Sequence, residues 1–370
     1  MLPLKRIFFS GFYLLISQIT LAQDIQFSQF YGSPIYLNPA FAGSSHHYRA
    51  TLQQRLQWPS LEARYTTSLL SVDGYFNDYK SGVGLMFIKD AQGKNRMSST
   101  EVSGIYSYEL HITEDYTFRA GLQGTYLNRS LNYNHLIFPD QLDVNSSSGT
   151  TGNPTTDNLG NGTINAFDVS SGGVFYTPSL FVGISAHHLT TPNQSFLGGV
   201  SRLPVKYALI AGYKIPLIHK KHMAYLEPEK DISVTPTVHY KSQGKSDQLD
   251  FGLYGIYDQL MLAVWYRGIP LKHYERGLQN NESMVLLAGW SFSGLQVAYS
   301  YDFTVSKLRP AKTAGSHEIT VTYIHQKAHK NAKPMRKLPC PTFYKKHASH
   351  QHHQQHHQQH IEHRHQQFHH

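Results

Sequence analysis

The chain of 370 residues contains one cysteine, Cys340. No intramolecular disulfide can form, and no zinc site built from several thiolates is available. Charged residues are sparse at 15%, and there are only three tryptophans. Beyond residue 22 there is no apolar run of the roughly eighteen residues that a membrane-spanning helix needs. Local catalytic signatures are missing as well. There is no GxSxG elbow, and Gly82–Gly84 and Gly121–Gly124 lack the following helix that a phosphate loop requires. The sequence therefore assigns no catalytic residue and no cofactor, and it reads as a non-enzyme.

What is present begins with an address. Lys5 and Arg6 precede the apolar stretch Ile7–Ile16, and Thr20 and Ala22 place small residues before Gln23. This pattern predicts a secretory signal peptide over 1–22, cleaved before Gln23. Residues 23–47 follow and carry Phe27, Phe30, Tyr31, Tyr36 and Phe41. So apolar a segment is expected to fold into a lumen or to close a periplasmic mouth rather than float in solvent.

From residue 48 onward the chain alternates. In Tyr48–Trp58, Arg49, Thr51, Gln53, Arg55 and Gln57 share one face, opposite Tyr48, Ala50, Leu52, Leu56 and Trp58. In Tyr116–Asn128, Thr117, Arg119, Gly121, Gln123 and Thr125 oppose Tyr116, Phe118, Ala120, Leu122, Gly124 and Tyr126. Alternation sustained this long indicates strands that cross a hydrocarbon layer at a tilt. The pattern predicts fourteen strands: 48–58, 64–72, 82–88, 100–110, 116–128, 168–176, 179–189, 204–214, 232–240, 248–257, 260–267, 284–291, 293–302 and 316–325. An even number of antiparallel strands closing on itself is the form of a bacterial outer-membrane barrel, here over 48–326. The mean hydropathy of −0.40 agrees with this, because half of each strand faces a polar lumen. Tyrosine, at 25 residues, suits the aromatic girdles of such barrels.

Connection lengths bear on orientation. Short turns are expected on the periplasmic side and long loops outside. With the amino terminus periplasmic, the odd-numbered connections should be the long ones. Connection five (129–167), seven, eleven (268–283) and thirteen obey. Connection one, at Pro59-Ser60, is short, and connection eight, 215–231, is long. The alternative is a secreted β-sandwich, which would give no such parity.

The net charge of +9 is unevenly placed. Residues 23–326 hold 23 Lys+Arg and 23 Asp+Glu, whereas the tail 327–370 carries eight basic residues against Glu362 alone. A basic tail does not make a nucleic-acid-binding domain, so no nucleic-acid partner is expected. Eleven histidines lie between His347 and His370, interleaved with glutamine. Pairs such as His352, His353, His356 and His357 offer weak transition-metal affinity, but the composition predicts a disordered low-complexity tail. His187-His188, inside an expected strand, should point to opposite faces and not share a metal. Arg49, Arg55 and Arg119 fall on lumenal faces, either as a charged lining or in interior ion pairs with Glu101 or Glu109.

Several blocks resemble a known family. The mature start QDIQFSQFYGSPIYLNPAFAGS (Gln23–Ser44) runs into Arg49, Arg55 and Gln57-Trp58-Pro59. WYRGIPLK (Trp265–Lys272), SYDFTVSKL (Ser300–Leu308), GSHEITVTY (Gly315–Tyr323) and RKLPCPTF (Arg336–Phe343) follow in order. Together they resemble the PorP/SprF family, outer-membrane proteins of the Bacteroidetes type IX secretion system. The resemblance implies a multi-pass barrel in the cell outer membrane that helps particular cargo proteins, among them gliding adhesins, to be exported or held at the surface. It also implies partners among periplasmic lipoprotein and ring subunits. Tyr36, Asn38, Pro39, Ala40, Gly43, Arg49, Arg55, Gln57 and Trp58 are the motif residues with an implied structural or interaction role. The competing expectation is a transporter of small hydrophobic molecules with an N-terminal plug.

Overall fold

The computed structural model describes residues 24–340 except 63, 94–96, 134–136, 143–149, 152, 157–161, 197–198, 218–230, 274–278, 306–312 and 326–337. The expected signal peptide and the His-rich tail, including His352, His353, His356 and His357, lie outside the described residues.

Fourteen antiparallel strands close into one barrel. They are β1 (Tyr48–Gln57), β2 (Tyr65–Phe76), β3 (Ser81–Gln92), β4 (Met97–His111), β5 (Thr117–Leu131), β6 (Thr163–Tyr176), β7 (Leu180–His187), β8 (Lys206–Tyr213), β9 (Ile232–Gln243), β10 (Ser246–Tyr257), β11 (Leu260–His273), β12 (Gln279–Phe292), β13 (Leu295–Thr304) and β14 (Ser316–His325). A two-residue piece, Ile215–Pro216, continues β8 against the same partner, β9. Closure is made by β1 against β14, in register from Tyr48 opposite His325 to Gln57 opposite Ser316. No free edge remains, which is what a sheet needs to cross lipid with every backbone group paired.

Every expected strand forms, and several run longer. The expected 82–88 extends to Gln92, 100–110 begins at Met97, 168–176 begins at Thr163, and 260–267 reaches His273. The hydrogen-bond ladder continues past the residues in which hydropathy alternates, so these hairpins run longer than the pattern predicts. This corrects the expected outer loop 268–283, most of which is strand carried through register shifts at Arg267/Gly268 and Ile269/His273. A second correction concerns β13, expected from residue 293. Ser293 (φ 47°) and Gly294 (φ 87°) form a two-residue turn with both φ positive, a geometry that matches the twist of a tight hairpin.

The outer face is apolar: Leu85 is 65% and Leu122 60% exposed, with Leu52, Leu70, Ile184 and Leu262 alike. So broad an exposed apolar surface needs lipid around it. The buried core is the lumen, where Arg119, Arg267, Gln29 and Thr51 are as buried as Phe41 and Trp265.

Candidate functional site

The lumen is occupied by the chain's own amino-terminal segment. Asp24 lies level with the β8 start and the β9 end, through Lys206 and Gln243. The chain then runs to Ala42 and Gly43 at the opposite end, beside Ser107 and Asp73. A single helical turn, α1 (Pro34–Leu37), and a 3-10 turn, Pro39–Phe41, shape it. Prolines at the first helical positions cost nothing there, because those amides would be unpaired anyway. Asn38 joins the two turns. Its Oδ1 accepts from the Ala40 amide at 2.9 Å, while Nδ2 donates to the Gly173 and Ile184 carbonyls at 3.2 and 2.8 Å. One side chain thus caps the turn and ties it to β6 and β7.

The backbones come so close that the barrel wall must be glycine there. A Cβ on Gly121 would stand 2.3 Å from the Ala40 nitrogen, and one on Gly82 2.0 Å from the Ala42 oxygen. Both contacts are with main chain, which cannot swing aside.

Charge fixes the segment further. Arg49 makes a two-pronged contact with Asp73, 2.8 Å on each arm, and Asp73 also accepts the Gly43 amide at 2.8 Å. Arg119 pairs with Glu109 and donates to the Ala40 and Ala42 carbonyls at 3.0 and 2.6 Å. The largest cluster holds Arg55, Arg267, Asp250, Asp302 and Glu318. Arg55 reaches Glu318 at 3.0 Å and Asp302 at 2.9 Å; Arg267 reaches Asp250 at 3.0 Å and Asp302 at 3.1 Å. Ser28 sits among them, its hydroxyl donating to Asp302 at 2.6 Å and its amide to Glu318 at 2.7 Å. Such charges are tolerable out of bulk water only when paired, and each of these is, although Arg55 Nε and Asp302 Oδ1 have no hydrogen-bond partner among the described residues.

Of the motif residues, Tyr36, Asn38, Pro39, Ala40, Gly43, Arg49 and Arg55 converge in the lumen. Tyr36 donates to the Ile25 carbonyl and stacks edge-on against Phe27. Gln57 and Trp58 stand apart, at the mouth reached by the odd-numbered connections. There Trp58 (φ 54°) donates its amide to the Gly315 carbonyl at 2.9 Å. The interior pairing expected for the arginines holds for Arg119 with Glu109; Glu101 takes no part in it. Sequence reasoning missed Ser28, Asp73, Asp250, Asp302 and Glu318. Three of the resembling blocks, WYRG, SYDF and SHEI, carry Arg267, Asp302 and Glu318, so their charged positions were the available signal. Also missed were Leu338 and Cys340, buried in the same apolar cluster as Tyr31, Phe181 and Tyr254.

At the odd-connection mouth the lumen opens into a cavity of about 590 Å³. His187 and His188 both line it. This corrects the expectation of opposed rings: β7 ends at His187, and His188, at φ 61°, leaves strand geometry and turns inward. His188 bridges Asp24 and Asp168, 2.7 Å from each, and Lys206 reaches Asp24 at 2.7 Å. Burial would lower the His188 pKa, but the Asp24 and Asp168 carboxylates outweigh it and hold it at about 9. No group of three or more potential metal ligands occurs among the described residues.

A family model described as "Type IX secretion system membrane protein PorP/SprF" matches residues 19–323. The chain belongs to the PorP/SprF family. It is therefore a membrane barrel of the type IX secretion system, embedded in the outer membrane, and membership implies interaction with other components of that system. No curated protein matches the chain. Solved structures similar to this PorP/SprF barrel include the Acinetobacter baumannii outer membrane protein Omp33, with TM-score 0.41 and 7% identity over 76% of this chain and 98% of that one. A Pseudomonas aeruginosa FadL homologue gives 0.35 and 14% over 77% and 92%, and the KdgM porin 0.33 and 8% over 75% and 99%.

Proposed function

We propose that this PorP/SprF barrel supports export or surface attachment of particular cargo proteins, gliding adhesins among them, by protein–protein contact. It acts neither as an open pore nor as an enzyme. The observation that carries this reading is the filled lumen. The segment from Asp24 to His47 is tied to groups of β1, β2, β4, β5, β6, β7, β13 and β14. It serves as a plug, and a plugged barrel is useful for the surfaces it displays.

In this reading the odd-connection mouth faces outward, and 132–162 and 188–205 meet cargo there. The even-connection mouth faces the periplasm. Connection 214–231 and the chain beyond His325 meet periplasmic lipoprotein and ring subunits. Loops carry recognition while the barrel holds them in place. Transport of small hydrophobic molecules is the weaker reading, since the cavity at the odd-connection mouth is lined by Asp24, Asp90, Glu101, Arg129 and Lys206.

The test is deletion of 132–162 in the native host, followed by comparison of surface proteins and of barrel insertion. Loss of particular surface proteins with a normally inserted barrel supports the reading. An unchanged surface proteome defeats it.

A further inference from the structure

We propose that the cavity at the odd-connection mouth is a receptor for a basic side chain, lysine or arginine, offered by a segment of a secreted protein. The cavity wall carries carboxylates beyond those its cations contact. Asp24, Asp168, His188 and Lys206 satisfy one another at 2.7 Å. Two other wall carboxylates have no such partner. Asp90, buried on β3, accepts among the described residues only from the Thr67 hydroxyl at 2.6 Å and the Gln92 amide at 3.3 Å. Glu101 on β4 has neither a hydrogen bond nor an ion pair among the described residues. Arg129, on β5 and level with Asp90 through Ser99, stands within electrostatic reach of both carboxylates but hydrogen-bonds Gln194 and the Met97 sulfur instead of either.

Register sets the spacing. Asp90 lies opposite Ser99, and Glu101 opposite Ile88, so the two carboxylates are diagonal neighbours on adjacent strands. Diagonal positions of an antiparallel pair are about 7–8 Å apart, a gap that an ammonium or guanidinium can bridge. Two carboxylates with no cation in hydrogen-bond contact among the described residues select a donor-rich cation over an anion. Trp58 and Tyr65 on the lining add ring faces to which such a cation is attracted. The volume is within the range of side-chain-sized to small-ligand sites, roughly 300–1,000 Å³, enough for one basic side chain with its flanking backbone.

The assignment of a secreted partner rests on the outward orientation given above; the site itself does not. The test uses purified full-length protein in detergent and a dye-labelled acetyl-Gly-Lys-Gly-Lys-Gly amide, read by fluorescence anisotropy, with the glutamate counterpart alongside. The lysine peptide should bind with an affinity that falls as salt rises, and the glutamate peptide should not bind. Asp90→Asn with Glu101→Gln should weaken binding about tenfold or more. Glu101→Lys, which builds the cation in, should abolish it. All variants are checked for a retained heat-modifiable gel shift. Equal binding of the two peptides, equal binding by wild type and the double variant, or no binding by wild type would overturn the site. If the double variant loses peptide binding yet displays surface proteins normally in cells, the site stands and the secreted partner is overturned.

Discussion

Replacing Glu318 by glutamine should release the amino-terminal segment without opening the barrel. The carboxylate takes four donors in pairs. Oε2 accepts from the Ser28 amide at 2.7 Å and Arg55 at 3.0 Å; Oε1 accepts from the Gln29 amide at 2.8 Å and Gln53 at 2.6 Å. Glutamine offers one oxygen and one NH2, so whichever way it turns, two buried donors meet a donor. Each unsatisfied group costs about 1–3 kcal/mol. Against that, the cluster around Ser28 passes from two cations and three carboxylates to two and two, which relieves some repulsion. A net loss of about 3 kcal/mol follows, or roughly a hundredfold in the opening equilibrium of the segment. The barrel itself keeps every strand pairing, including β1 with β14, so its closure should survive. The assay is limited proteolysis of the detergent-solubilised protein with mass-spectrometric mapping, next to a semi-native gel. The variant should be cut within 24–47 at a protease level that leaves wild type intact, and both should show the same heat-modifiable shift. Equal protection of the segment in the two proteins would refute the reasoning, as would loss of the gel shift in the variant.

Three further outcomes are expected. Gly121→Ala should destabilise docking of the segment by about 1–3 kcal/mol, since the new Cβ meets the Ala40 main chain; strand propensity would have forecast a gain of about 0.5–1 kcal/mol. Protease mapping of 24–47 gives the sign. The His188 contacts should weaken with alkali. Its folded pKa of about 9 lies above the ordinary histidine value of 6.5, so its contribution is full below pH 6.5 and lost as pH rises through 9. Cleavage near Asp24 should rise over that window in wild type and stay flat in His188→Gln. Cys340 should resist maleimide labelling in the native protein and label fully on unfolding, because it is buried with Leu338 in the lumenal apolar cluster. Rapid labelling of native protein would contradict that packing.

The strand set was readable because alternation is a local property: each residue's face depends on its immediate neighbours. The facing of Arg49, Arg55 and Arg119 into the lumen followed from the same rule. The corrections fall where the rule loses its grip. Gly268 and Pro270 interrupt the strand pattern, and 279–283 is polar on both faces, so 268–283 reads as loop from the sequence. His188 broke from its strand through a left-handed backbone angle that two adjacent histidines do not announce.

Composition and pattern alone were enough to establish a lipid-embedded cylinder with a polar interior, since period and hydropathy are carried residue by residue along the chain. They could not say which interior charges meet. Arg55 and Glu318 are 263 positions apart, and Ser28 and Asp302 are 274 apart. Those meetings exist only after β14 pairs with β1 and the amino-terminal segment lies inside the closed wall. The same closure left Asp90 and Glu101 on the wall of an open volume with no cation in hydrogen-bond contact among the described residues, because charge balance across a lumen is set by the diameter and register of the ring and not by any stretch of sequence.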